Sequence, residues 1–296
     1  MDAGPSDNFG FSVGINGDTI VAGSYQDDSA TATDAGSAYI FVRVAGVWTQ
    51  QQKLSASDAA EGDFFGNAVA ISGNTVVIGA FFDDTARGDS AGSAYAFTRN
   101  GTVWTEQQHL AASDGAAIDD FGYAVAVGGN TIIVGAIAGD TPGGISSGTA
   151  YVYTRNNNIW TEQQELIPFD GGAPEDFFGS SVAISGNTAL VGEFFDDLNP
   201  IANAGSAYIF TTPSVNISGR VITPSGLPLR NATVSMTDRS NVKRTTTTSS
   251  FGIYTFDNVI IGETYTVSVV SKRFRFSPQI LQFTTSVTNV DFVGLE

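Results

Sequence analysis

All three tryptophans of this 296-residue chain stand at one spacing, Trp48, Trp104 and Trp160, each 56 residues after the last. The same phrase surrounds them: Trp48 to Leu54 reads WTQQQKL, Trp104 to Leu110 reads WTEQQHL, and Trp160 to Leu166 reads WTEQQEL. A second marker, Phe-Gly, falls at Phe9-Gly10, Phe65-Gly66, Phe121-Gly122 and Phe178-Gly179, with spacings of 56, 56 and 57; the extra residue lies within Gly171 to Glu175. A third, a small-residue step into an aromatic, falls at Gly36 to Tyr39, Gly92 to Tyr95, Gly148 to Tyr151 and Gly205 to Tyr208. Four copies of one unit constrain the fold more than any other feature, because such a unit buries its apolar faces by stacking on its neighbours.

Each unit reads as four short strands. After Phe-Gly, apolar and small residues alternate (Val69 and Ile71 against Ala68 and Ala70), as in a strand packed closely on both faces. Gly17-Asp18, Gly73-Asn74, Gly129-Asn130 and Gly186-Asn187 supply the positive φ that tight hairpins require. The second strand is β-branched (Thr75 to Ile78), the third is Ser93 to Phe97, and the fourth carries the Trp and the Gln run. Helix signals are absent. Antiparallel four-stranded units at this period predict an all-β chain of β-propeller blades.

These residues resemble the FG-GAP repeats of integrin α-subunits and many bacterial surface proteins. The resemblance rests on the opening Phe-Gly, on the Gly ending strand two (Gly23, Gly79, Gly135, Gly192) and on Gly-Ser-Ala-Tyr in strand three, and it covers residues 1 to about 212. It implies a propeller that serves as a platform for protein or other ligands at the cell surface. The chain departs from the family's name by lacking the Pro, with Gly23-Ser24-Tyr25, Gly79-Ala80-Phe81, Gly135-Ala136-Ile137 and Gly192-Glu193-Phe194 in its place, and it lacks the family's Asp-x-Asp-x-Asp-Gly calcium loop. Asp2 aligns with Asp58 and Asp7 with Asp63, and the fourth repeat stops after Tyr208-Ile209-Phe210 without a Trp strand. The expectation is therefore an incomplete last blade and a piece of a larger propeller, its export signal lost upstream; a closed four-bladed ring is the alternative.

Beyond a boundary near Thr211-Thr212-Pro213-Ser214 the rhythm changes. Val215 to Val221, Ala232 to Met236 and Thr264 to Val269 each alternate apolar and polar residues, with turns at Ser225-Gly226-Leu227-Pro228 and Ile261-Gly262-Glu263. Roughly seven strands in about 80 residues predict a small β-sandwich. Gly219-Arg220-Val221, Gly226 to Leu229, Asn231 to Val234, Phe251 to Phe256 and Gly262 to Val267 resemble the carboxypeptidase regulatory-like domain. That resemblance implies a transthyretin-like accessory module related to carbohydrate-binding folds, without peptidase chemistry. The expected organisation is repeats at 1–56, 57–112, 113–169 and 170–212, then the sandwich at 213–296.

Charge follows the same division. Residues 1–212 hold 25 acidic and 5 basic residues, a balance of −20, whereas residues 213–296 hold 5 and 8, a balance of +3. The net charge of −17 argues against nucleic-acid binding, which needs clustered cations. No run of 18 apolar residues offers a membrane span, and the absence of Cys excludes disulfides and thiolate metal sites. With a lone His109 in the place of Lys53 and Glu165, it reads as a solvent-facing strand residue, and no Ser-His-Asp arrangement is supported.

If strands run up and down each blade, the loops after strand two and the linkers between blades share one face. Asp27, Asp28, Asp83, Asp84, Asp140, Asp196 and Asp197 lie in the first set; Asp58, Glu61, Asp63, Asp114, Asp119, Asp120, Asp170, Glu175 and Asp176 lie in the second. The first set is the candidate site for a hard divalent cation such as Ca2+, or for basic partners, and Arg43, Arg99 and Arg155 belong to the opposite face. Because the acids recur with the repeats, a catalytic carboxylate pair is not indicated. Arg87-Gly88-Asp89 is a candidate adhesion tripeptide, and the repeated Trp residues are expected between blades rather than on a sugar. The functional expectation is a non-enzymatic extracellular or cell-surface binding or adhesion protein of bacterial type, with a protein or glycan ligand. The alternative is the carbohydrate-binding part of a larger secreted carbohydrate-active protein.

Overall fold

The structure is a computed structural model that describes residues 4–156, 158–197, 201–212, 214–238, 243–261 and 264–295. Asp2, Pro213, Gly262 and Glu263 from the readings above lie outside the described residues. The chain divides into two compact units, Met1–Thr154 with Asn158–Thr211, and Thr212–Glu296 with Arg155–Asn157. Among the described residues every regular element is a strand.

The first unit holds β1 (Val13–Asn16), β2 (Thr19–Ser24), β3 (Ser37–Val44) and β4 (Val47–Leu54) in one sheet, and β5 (Val69–Ser72), β6 (Thr75–Ala80), β7 (Ser93–Asn100) and β8 (Val103–Leu110) in the next. A third sheet holds β9 (Phe121–Gly128), β10 (Thr131–Ala136), β11 (Thr149–Asn156) and β12 (Ile159–Leu166), and a fourth holds β13 (Phe178–Ser185), β14 (Thr188–Glu193) and β15 (Ser206–Thr211). All four sheets are antiparallel in chain order, the arrangement of propeller blades. The expected first hairpin turns are present: Gly17, Gly73, Gly129 and Gly186 have φ between 57° and 60°.

The second strand of each blade points alternate side chains at the two neighbouring blades. Val21, Ala38, Ile40 and Leu54 of the first blade therefore meet Phe65, Val76, Ile78 and Tyr95 of the second in one buried layer. Val77, Ala94, Ala96 and Leu110 meet Phe121, Ile132, Val134 and Tyr151 in the next, and Ile133, Ala150 and Val152 meet Phe178, Ala189 and Val191 in the third.

Each layer has the same joint at one end. The Phe of Phe-Gly is fully buried (Phe65, Phe121 and Phe178, each 0% exposed), and its N–H donates to the preceding blade's Ala35, Ala91 or Ser147 carbonyl at 3.0, 3.1 and 2.9 Å. The Gly of strand two receives it. A Cβ on Gly23 would lie 1.9 Å from the Gly66 carbonyl oxygen, on Gly79 1.9 Å from that of Gly122, and on Gly135 2.0 Å from that of Gly179. At the rim the Gln run takes over. Gln52 accepts from the Trp104 backbone N–H at 2.8 Å and donates to its carbonyl at 2.7 Å, while Gln51 accepts from the indole at 3.1 Å. Gln108 and Gln107 repeat this on Trp160. Trp104 and Trp160 are each 2% exposed, so they fill the space between blades as expected.

The second unit contains β16 (Ser214–Ile222), β17 (Thr233–Thr237), β18 (Lys243–Thr247), β19 (Ile253–Ile260), β20 (Thr264–Val270), β21 (Gln279–Gln282) and β22 (Phe292–Val293). One sheet has the order β19-β16-β22 and the other β18-β17-β20-β21. Their inward residues, among them Ile217, Val221, Val234, Met236, Tyr254 and Val267, form one core. The expected sandwich is thus present, with one parallel pairing, β16 to β22, among its antiparallel strands.

Candidate interaction face

The loops after strand two and the inter-blade linkers meet at one end of each blade, joined by the strand-three tyrosine. The Tyr39 hydroxyl donates to Asp27 at 2.8 Å, Tyr95 lies 2.9 Å from both Asp58 and Asp83, Tyr151 donates to Asp114 at 3.0 Å, and Tyr208 to Asp170 at 2.8 Å. Asp27 is further held by Ser37 and by Lys53 at 2.8 Å, and Asp196 by Ser206. Burial pushes the Asp83 carboxyl up, against the hydrogen bonds from Ser93 and Tyr95.

Asp28, Asp84, Asp140 and Asp197 have a different position. Each accepts the backbone N–H six residues on, from Asp34, Ser90, Ser146 and Asn203, at 2.9, 2.8, 2.9 and 2.6 Å, and so closes its loop. The linker carboxylates Asp63, Asp119 and Asp176 do the same for Ala60, Ala116 and Ala173. The acids recur because the loops recur, and each loop needs an acceptor at that point.

Among the described residues, no three of the seven candidate carboxylates bring ligand atoms within 4.8 Å; the group that does so is Asp58, Asp83 and His109. A calcium cage takes about six to eight oxygens, and this trio offers a nitrogen and two carboxylates. The solvent-facing reading of His109 is incomplete: its side chain is 37% exposed, yet it stacks on Tyr95 at 4.8 Å and 8°, contacts Ser93 at 2.6 Å, and lies 3.7 Å from Asp58 and from Asp83. Lys53 takes the corresponding place over Tyr39 and against Asp27. The third blade keeps neither partner, with Glu165 in the strand and Gly139 in the loop.

On the opposite end, Arg43 pairs with Asp18 at 2.6 Å, and Arg99 bonds Asn74 through Nε and Nη2. Arg87 and Asp89 are exposed on a turn in which Thr85 and Gly88 exchange backbone hydrogen bonds, and Gly88 has φ 146°. The same turn recurs at Thr141 and Gly144, so the glycine of the tripeptide is a turn requirement.

An aromatic run borders the acidic loops, and the sequence reading missed it. Phe11 contacts Tyr25 at 4.7 Å, Tyr25 contacts Phe64 at 5.4 Å, Phe64 contacts Phe82 at 5.4 Å and Phe81 at 5.9 Å, and Phe81 contacts Tyr123 at 5.6 Å. Phe177, Phe194 and Phe195 form its counterpart in the fourth blade. The signal was present where the chain departs from Gly-Ala-Pro, because Tyr25, Phe81 and Phe194 stand there in three of the four repeats. Phe11, Phe82, Phe194 and Phe195 are exposed.

Two acids without a counterpart in the sister repeats stand out by burial. Asp120 stands where the sister repeats have Asn8, Phe64 and Phe177, and Glu193 where they have Ser24, Ala80 and Ala136. Burial, then the neighbouring charge of Asp119, pushes Asp120 up to about 7. Burial likewise pushes Glu193, 1% exposed, up to about 7; the Tyr208 phenol opposes this, and Asp196, Asp176 and Asp170 reinforce it. The folded protein then holds protons that the unfolded chain has released by about pH 4.5, so stability falls as pH rises from there to about 7. Glu193→Gln is expected to remove its share of that fall, on the order of 3 kcal/mol, and leave that of Asp120. Urea midpoints at acid and neutral pH measure it.

Comparison with family models matches the FG-GAP repeat at residues 1–41, 48–97, 104–153 and 160–210, and the carboxypeptidase regulatory-like domain at residues 216–293. No curated protein matches. Among solved structures, Sqt1 of Chaetomium thermophilum is 12% identical with a TM-score of 0.38, over 95% of this chain and 63% of that one. A streptococcal ancillary pilin is 10% identical (TM-score 0.24, 50% of each chain), and the Bacillus anthracis TIE protein 11% identical (TM-score 0.25, 98% of this chain and 40% of that one). The chain thus spans less than two thirds of each. No helix among the described residues is long and apolar enough to cross a membrane.

Proposed function

The chain belongs to the FG-GAP repeat family, and from that premise we propose that it is a non-enzymatic extracellular binding protein. The blades present an acid-rimmed aromatic surface to a basic partner protein, and the sandwich serves as an accessory module. Both matched domains are non-catalytic types, a repeat and a regulatory-like module.

The observation that carries this reading is the aromatic run beside the exposed carboxylates Asp28, Asp58, Glu61, Asp84, Asp114 and Asp140. Aromatic anchors within a charged rim are the usual anatomy of a protein interface, and a field of one sign speeds encounter with the opposite one. A peptide alternating Arg and Trp, titrated into the full chain by calorimetry, is expected to bind at low salt. Adding salt should weaken it, and Phe82→Ser should weaken it about tenfold. No binding would overturn the proposal, and specific capture on a glycan array without peptide binding would establish the carbohydrate reading instead.

Thermal unfolding decides whether calcium joins the site. Loops already closed by protein hydrogen bonds predict a melting temperature within about 1 °C in calcium and in chelator, whereas a rise of several degrees in calcium would assign Asp27, Asp28, Asp83, Asp84, Asp140, Asp196 and Asp197 to an ion.

A further inference from the structure

The only histidine of the chain lies opposite Tyr95 in the β7–β8 register, the place that Lys53 holds opposite Tyr39 in the first blade. There a cation is built in, because the Lys53 ammonium reaches Asp27 at 2.8 Å. In the second blade the same place holds a ring nitrogen between two carboxylates. Asp58 comes from the linker after β4, Asp83 from the loop after β6 and His109 from β8, and one ligand atom of each lies within 4.8 Å of the other two. The imidazole stands 3.7 Å from Asp58 through Nδ1 and 3.7 Å from Asp83 through Nε2. Ligand atoms held at about 2.0–2.2 Å around a tetrahedral zinc ion lie about 3.4 Å apart, so side-chain rotations close the remaining gap. The stack on Tyr95 holds the ring plane in place. The Tyr95 hydroxyl, 2.9 Å from both carboxylates, has one proton for two acceptors, and a cation between them supplies what that proton does not.

We propose that Asp58, Asp83 and His109 form a binding site for a divalent first-row transition ion of the Zn2+ type, set wholly in the second blade and the linker that enters it. The donor set selects the class: one imidazole nitrogen and two carboxylates suit zinc and its neighbours, and they fall short of the about six to eight oxygens that calcium takes. Asp58 and His109 are partly exposed, which gives an ion a way in from solvent, and three protein ligands leave a fourth position for water. The site belongs to one blade alone, since Lys53 replaces the imidazole in the first, and Glu165 and Gly139 replace the imidazole and the loop acid in the third. An ion held there ties linker, loop and fourth strand to one another, so its effect is to stabilise the repeat unit.

Zinc chloride titrated by calorimetry into the full chain, stripped with chelator and exchanged into chelator-free buffer, is expected to bind as one equivalent. At about a hundredfold excess over its dissociation constant it should raise the melting temperature by about 5 °C or more, and calcium at the same concentration should not. Cobalt in place of zinc should give a visible absorption band stronger than that of the aqueous ion, the mark of four-coordinate binding. His109→Lys installs the first blade's residue and should keep the fold, checked by circular dichroism. It removes the chain's only imidazole, and there is no Cys to replace it, so zinc affinity should fall at least about tenfold and the cobalt band should vanish. Asp58→Asn, at a partly exposed position, should act likewise and carries the test if the first variant fails to fold. No zinc binding by the unaltered chain would overturn the proposal. So would equal binding by the unaltered chain and the variants, the result expected if zinc only scatters over the other carboxylates.

Discussion

Gly79→Ala is expected to destabilise the repeat unit by at least about 3 kcal/mol, a fall in melting temperature of roughly 10 °C for a domain of this size. The added methyl would lie 1.9 Å from the carbonyl oxygen of Gly122 and 2.9 Å from its carbon, which are backbone atoms of the next blade. No rotamer relieves that contact. The second and third sheets must separate by more than an ångström, and the layer beneath them, from Val77 to Phe121 and Val134, loses its close packing as they do. Gly79 does not have a positive φ, so the expected loss comes from the neighbour and not from backbone strain. Thermal unfolding followed by circular dichroism measures it.

The second large effect is expected at the rim. Trp104→Ala should cost about 3–5 kcal/mol, the usual loss for a buried Trp, because its ring is 2% exposed and its indole N–H and both backbone groups bond the Gln51-Gln52 pair. Arg99 also lies over the ring at 5.2 Å. Trp48→Ala should cost much less, about 1 kcal/mol: Arg43 still covers that ring at 5.3 Å, yet it is only half-buried. Denaturant unfolding of the two variants side by side gives the difference directly.

The repeat and its strands were legible because periodicity acts on every residue at once. Phe-Gly, the hairpin glycines and the Trp phrase each mark one place in a four-stranded unit, and the sandwich announced itself by alternation at Val215 to Val221. What the glycines and glutamines are for was not legible. Gly79 touches a residue 43 positions later, and Gln52 one 52 positions later, so their reasons lie in the next blade and no local pattern contains them. The acidic loops lie at one end of each blade, as expected, but the hydrogen bonds by which Asp28, Asp84, Asp140 and Asp197 close them could not be read from the sequence. A carboxylate closing its own loop and one awaiting a cation have the same sequence, and only the donor six residues on tells them apart. Glu193 was hidden for the opposite reason, since attention to what repeats passes over an acid that does not.

The central claim is that the family's signature residues form a joint with the next blade, and that their weight depends on whether that blade is present. Gly79→Ala and Gly192→Ala, measured together by urea unfolding, test it. The first has the Gly122 backbone at 1.9 Å, whereas the nearest atom to the second is the rotatable Ser181 hydroxyl of its own blade. The expected result is a loss of at least about 3 kcal/mol for Gly79→Ala and less than about 1 kcal/mol for Gly192→Ala. Equal losses at the two positions would contradict it.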